Sequence, residues 1–414
     1  MTVTRTQTAA PNPVYHSTLR DHLKATEPEL WNWFSQTHAQ SDESSDDTEL
    51  EILKSAYRIE DHDGLTLAAD ATIIGGRLGL DHPVTCYQAL NTDQSNASVH
   101  ILGDKTNGFH THIVFSGEVL SLLTPAELRA VLAHELAHVA LLLQDDGDFR
   151  ILAALVERLA ANSAAHEALD ETARRLRLHT EVHADAISIT ATGERDDLIA
   201  ALVKTQSGLK NVDPRAYLRQ AEQILASDNS ATAAWTHPEL HIRVACLAAN
   251  TGATGPNPTV VAGLIEGPDD LDRLDLLGQL RLQDLTSSVL TGGVEAVGDW
   301  TRYNSYLRSF VGNAGVFELL ASMGQGTAPL AKPNPNRSFR PENDALVNAQ
   351  PSVRNFAAAL LADLAMTNDE DADNVGPMWI LSKEAERIGV ATEFDRILSK
   401  ATGQTLSSVR RLRK

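Results

Sequence analysis

One pentapeptide constrains this chain more than any other feature: His134-Glu135-Leu136-Ala137-His138, which lies inside a helical pattern. Thr124-Pro125-Ala126-Glu127 predicts the start of that helix, because it combines a capping box with proline at the first helical position. Gln144-Asp145-Asp146-Gly147 predicts its end. Side chains four residues apart share one face of a helix, so both imidazoles can bind one metal ion while the glutamate addresses a water molecule. The flanking residues are apolar, and burying two histidines and a carboxylate without partners is costly, which favours a metal site.

A second pattern offers a third metal ligand. Glu181-Val182-His183-Ala184-Asp185 lies in a helical stretch predicted from about His166 to Thr192. Glu181 would complete a three-ligand site whose fourth position is open to water. Asp185, one helical turn later, would accept a hydrogen bond from the second N–H of a ligand imidazole. The two histidines and the glutamate favour one catalytic Zn²⁺ ion.

The spacing after the pentapeptide separates two classes of zinc peptidase. A metzincin requires glycine three residues after the second histidine and a further histidine three residues later. This chain has Leu141 and Gln144 at those positions, so the metzincin pattern is excluded. A glutamate on a following helix, with an aspartate four residues later, is the gluzincin pattern.

Further short elements make the chain resemble the HtpX-like and CAAX prenyl protease family of gluzincin metallopeptidases. An Asn96-Ala97 pair precedes the catalytic helix, and a Leu-rich run, Glu127 to Ala133, leads into His134. Thr236-His237-Pro238 follows, with Arg243 six residues after its histidine. The resemblance covers about residues 50 to 250.

The resemblance implies a fold and roles for more residues. The expected fold is α+β and mainly helical: a gluzincin (zincin-like) peptidase domain with a small antiparallel sheet, plus a C-terminal helical region. Asn96 and Ala97 would bind substrate on an edge strand that takes an extended peptide by β-augmentation. His237 and Arg243 would act in catalysis as donors to the developing oxyanion. The alternatives are a helix-start turn for His237 and a salt bridge to an acidic neighbour for Arg243.

Changes in composition predict three regions along the chain. Residues 1–48 form an N-terminal helical extension, with a helix from about Tyr15 to Ser35 and an acidic linker from Ser41 to Asp47. Residues 49–250 form the peptidase domain. Residues 256–414 form a helical region of open role, with a Pro/Asn-rich loop over 325–351.

Within the middle region, the pattern predicts a helix from Thr66 to Leu78 and two strands, Ala97 to Leu102 and Phe109 to Phe115. Asn107-Gly108 between the strands is a strong hairpin signal.

Three further groups of residues carry a weaker signal for metal binding. His183 lies two residues from Glu181 and should face away from the ion, as a structural histidine. His110 and His112 share one strand face and could bind a metal, although a polar face is the better interpretation. The acidic run with Asp369, Asp371 and Asp373 lacks the glycine and glutamate of a calcium-binding loop and is predicted to be solvated.

Charge and hydropathy limit the partners. A formal net charge of −20 repels polyanions, so nucleic acid is not an expected partner. The sequence contains no signal peptide pattern and no apolar run of about twenty residues, which predicts a cytoplasmic protein without a transmembrane segment. The two cysteines, Cys86 and Cys246, have no metal-binding spacing.

The predicted activity is hydrolysis of peptide bonds in protein substrates, by a metal-activated water with Glu135 as general base. Two alternatives stay open. An aminopeptidase would require an acidic anchor for the substrate amine, and the usual Gly-x-Met-x-Asn element is missing. A zinc-stabilised scaffold acting through its C-terminal helices would not need Glu135. A regulatory protein partner of the C-terminal region is a further expectation.

Overall fold

A computed structural model describes most of the chain, in two compact units, Met1–Gly267 and Pro268–Lys414. The described residues are 13–39, 43–61, 66–90, 94–104, 108–162, 167–250, 255–298, 303, 306–307, 342–367 and 376–411. The predicted acidic loop with Asp369, Asp371 and Asp373 lies outside them, as do Asn107 of the hairpin signal and His166.

The first unit is mainly helical with one small sheet. Its helices are α1 Val14–Thr26, α2 Pro28–Ala39, α3 Glu43–Ser55, α4 Leu67–Arg77, α5 Val119–Leu122, α6 Pro125–Asn162, α7 Glu167–Thr192, α8 Arg195–Ser207, α9 Pro214–Ser227, α10 Leu240–Ala248 and α11 Pro258–Ile265. Its strands are β1 Ala56–Arg58, β2 Val84–Ala89, β3 Asn96–Asp104 and β4 Gly108–Ser116. The unit therefore includes α11, which follows the boundary predicted from sequence.

The sheet has four strands in the order β1-β2-β4-β3. The predicted strand pair is confirmed as an antiparallel hairpin, with Ala97 opposite Phe115 and Val99 opposite Ile113. The prediction that the sheet is antiparallel is wrong, because β2 pairs with β4 in parallel. Strand β2 is buried on both faces at its centre, at Cys86 and Tyr87, and lacks the alternation that marks a strand in sequence. Among the described strands, β3 forms one edge of the sheet and pairs with β4 alone.

The N-terminal region differs from the prediction in two places. The single predicted helix is two, because Pro28 has no N–H and disfavours helical backbone at Glu27, where α1 ends. Residues 43–47, predicted as linker, begin α3. That helix is held by Ile52, which packs with Ala56 and Tyr87 in a small apolar cluster.

Helix α6 begins as predicted and changes direction at the predicted end. The Thr124 amide donates to Glu127 (2.8 Å) and the Glu127 amide to the Thr124 hydroxyl (3.3 Å), which is a complete capping box. The backbone leaves helical geometry at Gln144, and φ is positive from Asp145 through Gly147. The element then continues to Asn162 as a second helical segment.

Apolar packing sets the relative positions of the main helices. The α6 residues Leu132 and Leu136 are fully buried in the main core, which they share with the sheet and α4. Ala137 of α6 packs against Ala184 of α7, and both are fully buried, so these two helices approach closely. On the other side, Ile242 of α10 packs in one cluster with residues of α7 and α11.

The second unit is helical, which confirms the predicted C-terminal helices. It contains α12 Leu276–Val297, α13 Pro351–Met366, α14 Gly376–Arg387, α15 Ala391–Thr402 and α16 Leu406–Arg411. Leu290, Leu361 and Phe394 are fully buried in its separate core. Across the described residues of both units, no helix is long and apolar enough to cross a membrane.

Candidate metal centre

Helix α6 positions the first three site residues. His134, Glu135 and His138 lie on the side of the helix that faces a cleft, and His134 and Glu135 are buried. The opposite side carries Leu132 and Leu136 in the core, so the helix cannot rotate without exposing them. The hydrophobic pattern around the pentapeptide thereby fixes the direction of its polar side chains.

The structure brings the three predicted ligands together. The two histidine Nε2 atoms are 3.1 Å apart. Glu181 Oε1 lies 3.4 Å from His138 Nε2, and Glu181 Oε2 lies 3.6 Å from His134 Nε2. One ligand atom from each residue falls within 4.8 Å of the others, and no other cluster of His, Cys, Asp or Glu in the described part of the chain meets this criterion.

These distances fit a tetrahedral zinc ion. With metal–ligand distances of about 2.0–2.1 Å, two ligand atoms of a tetrahedral site are about 3.3 Å apart. The two Nε2 atoms are 3.1 Å apart, and the two oxygens of Glu181 lie 3.4 and 3.6 Å from different Nε2 atoms. In addition, Glu181 Oε2 is buried and accepts no hydrogen bond from the described residues. Its nearest cationic group, Arg243 Nη1, lies 3.6 Å away, beyond hydrogen-bond distance, so a metal ion bound at this oxygen would offset the cost of its burial.

A buried ion-pair network holds the ligands from behind. His134 Nδ1 lies 2.9 Å from Asp185 Oδ1, as the sequence predicts for a carboxylate that orients a ligand imidazole. Arg243 of α10 donates two hydrogen bonds to Asp185, at 2.8 and 2.6 Å. Its Nη1 also lies 3.6 Å from Glu181 Oε2. Arg243 therefore forms a salt bridge to an acidic neighbour, which is the alternative role for this residue.

Burial disfavours the charged form of each site residue, whereas the ion pairs favour it, so the pKa values depend on which effect is larger. Burial raises the pKa of Glu135 to about 7 and lowers that of His138 to about 4. For His134 burial opposes the charged form, but Asp185 and Glu181 outweigh it and raise its pKa to about 10. Glu181 is also penalised by burial, yet His138, His134 and Arg243 hold its pKa well below the usual value.

The site opens into a cleft of about 390 Å³. Strand β3 contributes Asn96 to Val99 to the lining, so the predicted substrate-binding pair, Asn96 and Ala97, lies on the edge strand beside the three ligands. His237 also lines the cleft; its side chain is 55% exposed and its Nε2 lies 3.5 Å from Glu181 Oε1.

The weaker sequence candidates lie away from this group. His183 is buried on the other face of α7, where its Nδ1 lies 2.8 Å from the His179 carbonyl, as its spacing predicts. His110 Nε2 lies 2.9 Å from Thr85 Oγ1, and His112 Nδ1 lies 3.1 Å from the Tyr87 hydroxyl. The two rings therefore belong to the polar face of the sheet.

Sequence reasoning missed one buried ion pair that shapes the site. Lys204 of α8 is 5% exposed and its Nζ lies 2.8 Å from the Glu127 carboxylate, which also closes the capping box of α6. This pair ties α8 to the start of the helix that carries the histidines. A lysine directly after the apolar run from Leu198 to Val203 was the available signal.

Comparison with known proteins supports the same interpretation. Residues 77–251 match Peptidase family M48, a segment that contains the pentapeptide, Glu181, Asp185, His237 and Arg243. No curated protein and no solved structure matches the chain. The family uses zinc, and the His134, His138 and Glu181 group is consistent with its HExxH and glutamate ligands. Residues 77–251 therefore carry a domain like that of Peptidase family M48, whose members are zinc metallopeptidases.

Proposed function

We propose that this protein is a zinc endopeptidase in which His134, His138 and Glu181 hold one zinc ion. The observation that carries the proposal is the convergence of two ring nitrogens and one carboxylate, 3.1 to 3.6 Å apart, at the wall of a cleft. Zinc bound there would activate a water molecule and polarise the scissile carbonyl. Three protein ligands leave one position for that chemistry, whereas a purely structural site uses four.

Glu135 is the proposed general base. Its carboxylate is buried beside the ligands and lines the cleft, so it can take a proton from the attacking water and deliver it to the leaving amine. A base poised near neutrality performs both transfers well, and burial moves the pKa of Glu135 in that direction.

His237 and Arg243 take different roles in this proposal. His237 is half-exposed at the cleft, where its ring can donate to the developing oxyanion. The Arg243 guanidinium is buried and engaged by Asp185, so it acts as a positioning residue. Through Asp185 it fixes the orientation of the His134 ring.

The edge strand provides a route for the substrate backbone. Strand β3 has one neighbour in the sheet as described, and its first residues line the cleft beside the ligands. We propose that an extended substrate pairs with Asn96 and Ala97 by β-augmentation, which carries the scissile bond past Glu135. Main-chain pairing of this kind suits an endopeptidase that acts on unfolded protein segments.

Cleavage of denatured casein by the wild type and by Glu135→Gln tests this function. Both proteins should bind one zinc per chain, because the glutamine replaces no ligand, and only the wild type should cut. A loss of at least about a thousandfold is expected for removal of a general base that acts with a metal. Equal cleavage by the two zinc-loaded proteins, or zinc-loaded wild type that does not cut, would contradict the proposal.

A further inference from the structure

The segment between α9 and α10 brings His237 to the metal centre. This segment, residues 228–239 and called here the His237 segment, contains no helix or strand of its own. Its tip is open to solvent, since His237 is exposed and Trp235 is 61% exposed. Irregular backbone of this kind has no ladder of hydrogen bonds to hold its shape, so the position of the ring depends on contacts from outside the segment.

A buried arginine of α7 makes such a contact. Arg174 is 2% exposed, and its Nη1 donates to the Ala234 carbonyl at 2.8 Å and to the Thr232 carbonyl at 3.4 Å. Its Nε and Nη2 each donate to the Glu171 carboxylate at 2.7 Å. Because this bidentate pair fixes the plane of the guanidinium, the third nitrogen is held against the His237 segment.

Two further contacts hold the same stretch of backbone. Arg177, one turn after Arg174, donates from Nη1 to the Trp235 carbonyl at 3.2 Å, although its side chain is 36% exposed. The Thr232 amide donates to the Leu264 carbonyl of α11 at 2.8 Å. The backbone of the segment is therefore fixed up to a point two residues before the histidine.

The short path from this fixed backbone to the ring leaves little freedom. Pro238 is buried, and a proline restricts the residue before it to extended backbone. The Thr236 hydroxyl lies 3.1 Å from His237 Nδ1, and the other ring nitrogen, Nε2, lies 3.5 Å from Glu181 Oε1. A shift of the His237 segment would therefore move the ring away from the metal centre.

Helix α7 carries both the anchor of the segment and the ligand that the ring faces. Arg174 precedes Glu181 by seven residues, or two helical turns, so the two side chains lie on the same side of the helix. The helix is continuous from Glu167 to Thr192. One rigid element thus sets the distance between the anchor and the metal ligand.

We propose that Arg174 is a positioning residue of the peptidase: it holds the His237 segment so that the His237 ring meets the developing oxyanion. This inference rests on the proposed function, because it assumes that His237 donates in the transition state. Arg175 provides a matched comparison, since it is 3% exposed and its Nε donates to the same Glu171 carboxylate at 2.8 Å. Its Nη1, however, faces Glu266, 4.0 Å away.

A double-mutant cycle on zinc-loaded, full-length protein tests the assignment through casein cleavage. Arg174→Met should lower kcat at least about tenfold with little change in KM, because a displaced ring loses an interaction made only in the transition state. In a His237→Ala background the same substitution should cost less than about twofold, since no ring is left to misplace. Equal losses in the two backgrounds would overturn the proposal.

Two other arginine variants separate positioning from damage to the fold. Arg175→Met also removes a buried cation from Glu171, yet it should keep kcat within about twofold, and a loss as large as that of Arg174→Met would overturn the proposal. Arg177→Gln repeats the cycle at a partly exposed position that tolerates substitution. Its expected loss, about threefold, should vanish in the His237→Ala background, so the test stands even where Arg174→Met does not fold.

Hydrogen exchange read by mass spectrometry distinguishes failure of this inference from failure of the proposed function. The Thr232 amide bonds to Leu264, and the Ala234 amide donates to the Thr232 hydroxyl at 3.1 Å. Arg174→Met should therefore speed exchange in the His237 segment at least about tenfold, and Arg175→Met should not. Faster exchange in protein that does not cut would overturn the peptidase and leave the anchor. Unchanged exchange, with wild type that cuts, would overturn the anchor and leave the peptidase.

Discussion

Helix α7 buries polar side chains on two faces, and the partners of these side chains differ between the faces. On one face, Glu181 and Asp185 are ionised and surrounded by His134, His138 and Arg243. On the other, two residues away in sequence, His179 and His183 pack against α1. Tyr15 stacks on His179 with 4.5 Å between ring centroids, and His16 meets His183 edge-on at 6.1 Å.

The difference shows that partners, more than burial, decide whether a group stays charged. Asp185 and His183 are both buried on one helix. The Arg243 guanidinium keeps the pKa of Asp185 low against the effect of burial, whereas burial lowers the pKa of His183 to about 4. The front face of α7, with Glu181 and Asp185, therefore holds fixed charges suited to a cation, whereas His183 on the back face, which packs against α1, is a neutral ring.

A pair of glutamine substitutions gives the largest expected contrast between the faces. Glu181→Gln should lower kcat/KM at least about a thousandfold, or about 4 kcal/mol, because it removes the only anionic member of the ligand group. His183→Gln, two residues later on the back face, should retain most of the activity. Casein cleavage and zinc content of both variants provide the measurement. Similar losses in the two would mean that α7 responds as a unit and that the faces are not separate.

The second-largest expected effect is a loss of unfolding free energy when Arg243 is replaced. Arg243→Met leaves the Asp185 carboxylate buried without its cation, and the expected loss is about 3 kcal/mol of unfolding free energy. Urea denaturation of the zinc-free protein measures it. The double variant Arg243→Met with Asp185→Asn should recover part of the loss, because the orphaned charge is gone. No recovery would show that Arg243 stabilises the fold by packing and not through Asp185.

Asp185→Asn alone should act mainly on metal affinity. The amide cannot supply the negative charge that faces His134 Nδ1 at 2.9 Å, and loss of such a partner costs about 10–100-fold in affinity. Competition with a zinc chelator measures the change. Ser188→Ala, at a buried α7 position where the hydroxyl bonds only to the Asp185 carbonyl, is the control that should keep wild-type affinity. An unchanged affinity in Asp185→Asn would remove Asp185 from the metal centre.

The residues of the front face were largely predictable from sequence, because their spacing within single helices determines which side they occupy. The spacing of His134 and His138 places both on one side of a helix, and Glu181 and Asp185 repeat that spacing. The capping box was equally local, and both of its hydrogen bonds are present. What the spacing could not show was which long-range partner each charged group would meet.

The missed features depend on such long-range contacts. Arg243 reaches Asp185 across 58 positions of sequence, and Lys204 reaches Glu127 across 77. The sequence does not reveal strand β2, because its centre is buried on both faces and it pairs in parallel with a strand after it. The back face was missed because His16 is an ordinary helix residue until α1 packs against α7.

The smallest expected effect tests the back face through its response to acid. Burial, with His183 and His179 nearby, holds the pKa of His16 well below 6.5 in the folded protein. The unfolded chain therefore binds more protons than the folded one below about pH 6.5, and the folded state loses stability as the pH falls from there towards the folded pKa. His16→Gln removes this group, and its amide can still reach Thr180, which lies 2.9 Å from the native ring.

Urea denaturation of zinc-free wild type and His16→Gln at pH 7 and pH 5 compares the two. The wild type should lose up to about 2 kcal/mol more than the variant over this interval, because one histidine with an unfolded pKa near 6.5 is forced to charge. His22→Gln, on the same helix but much less buried, is the control and should behave more like the wild type. Equal acid sensitivity of wild type and His16→Gln would mean that His16 is already charged when folded, and that the back face of α7 carries charge like the front.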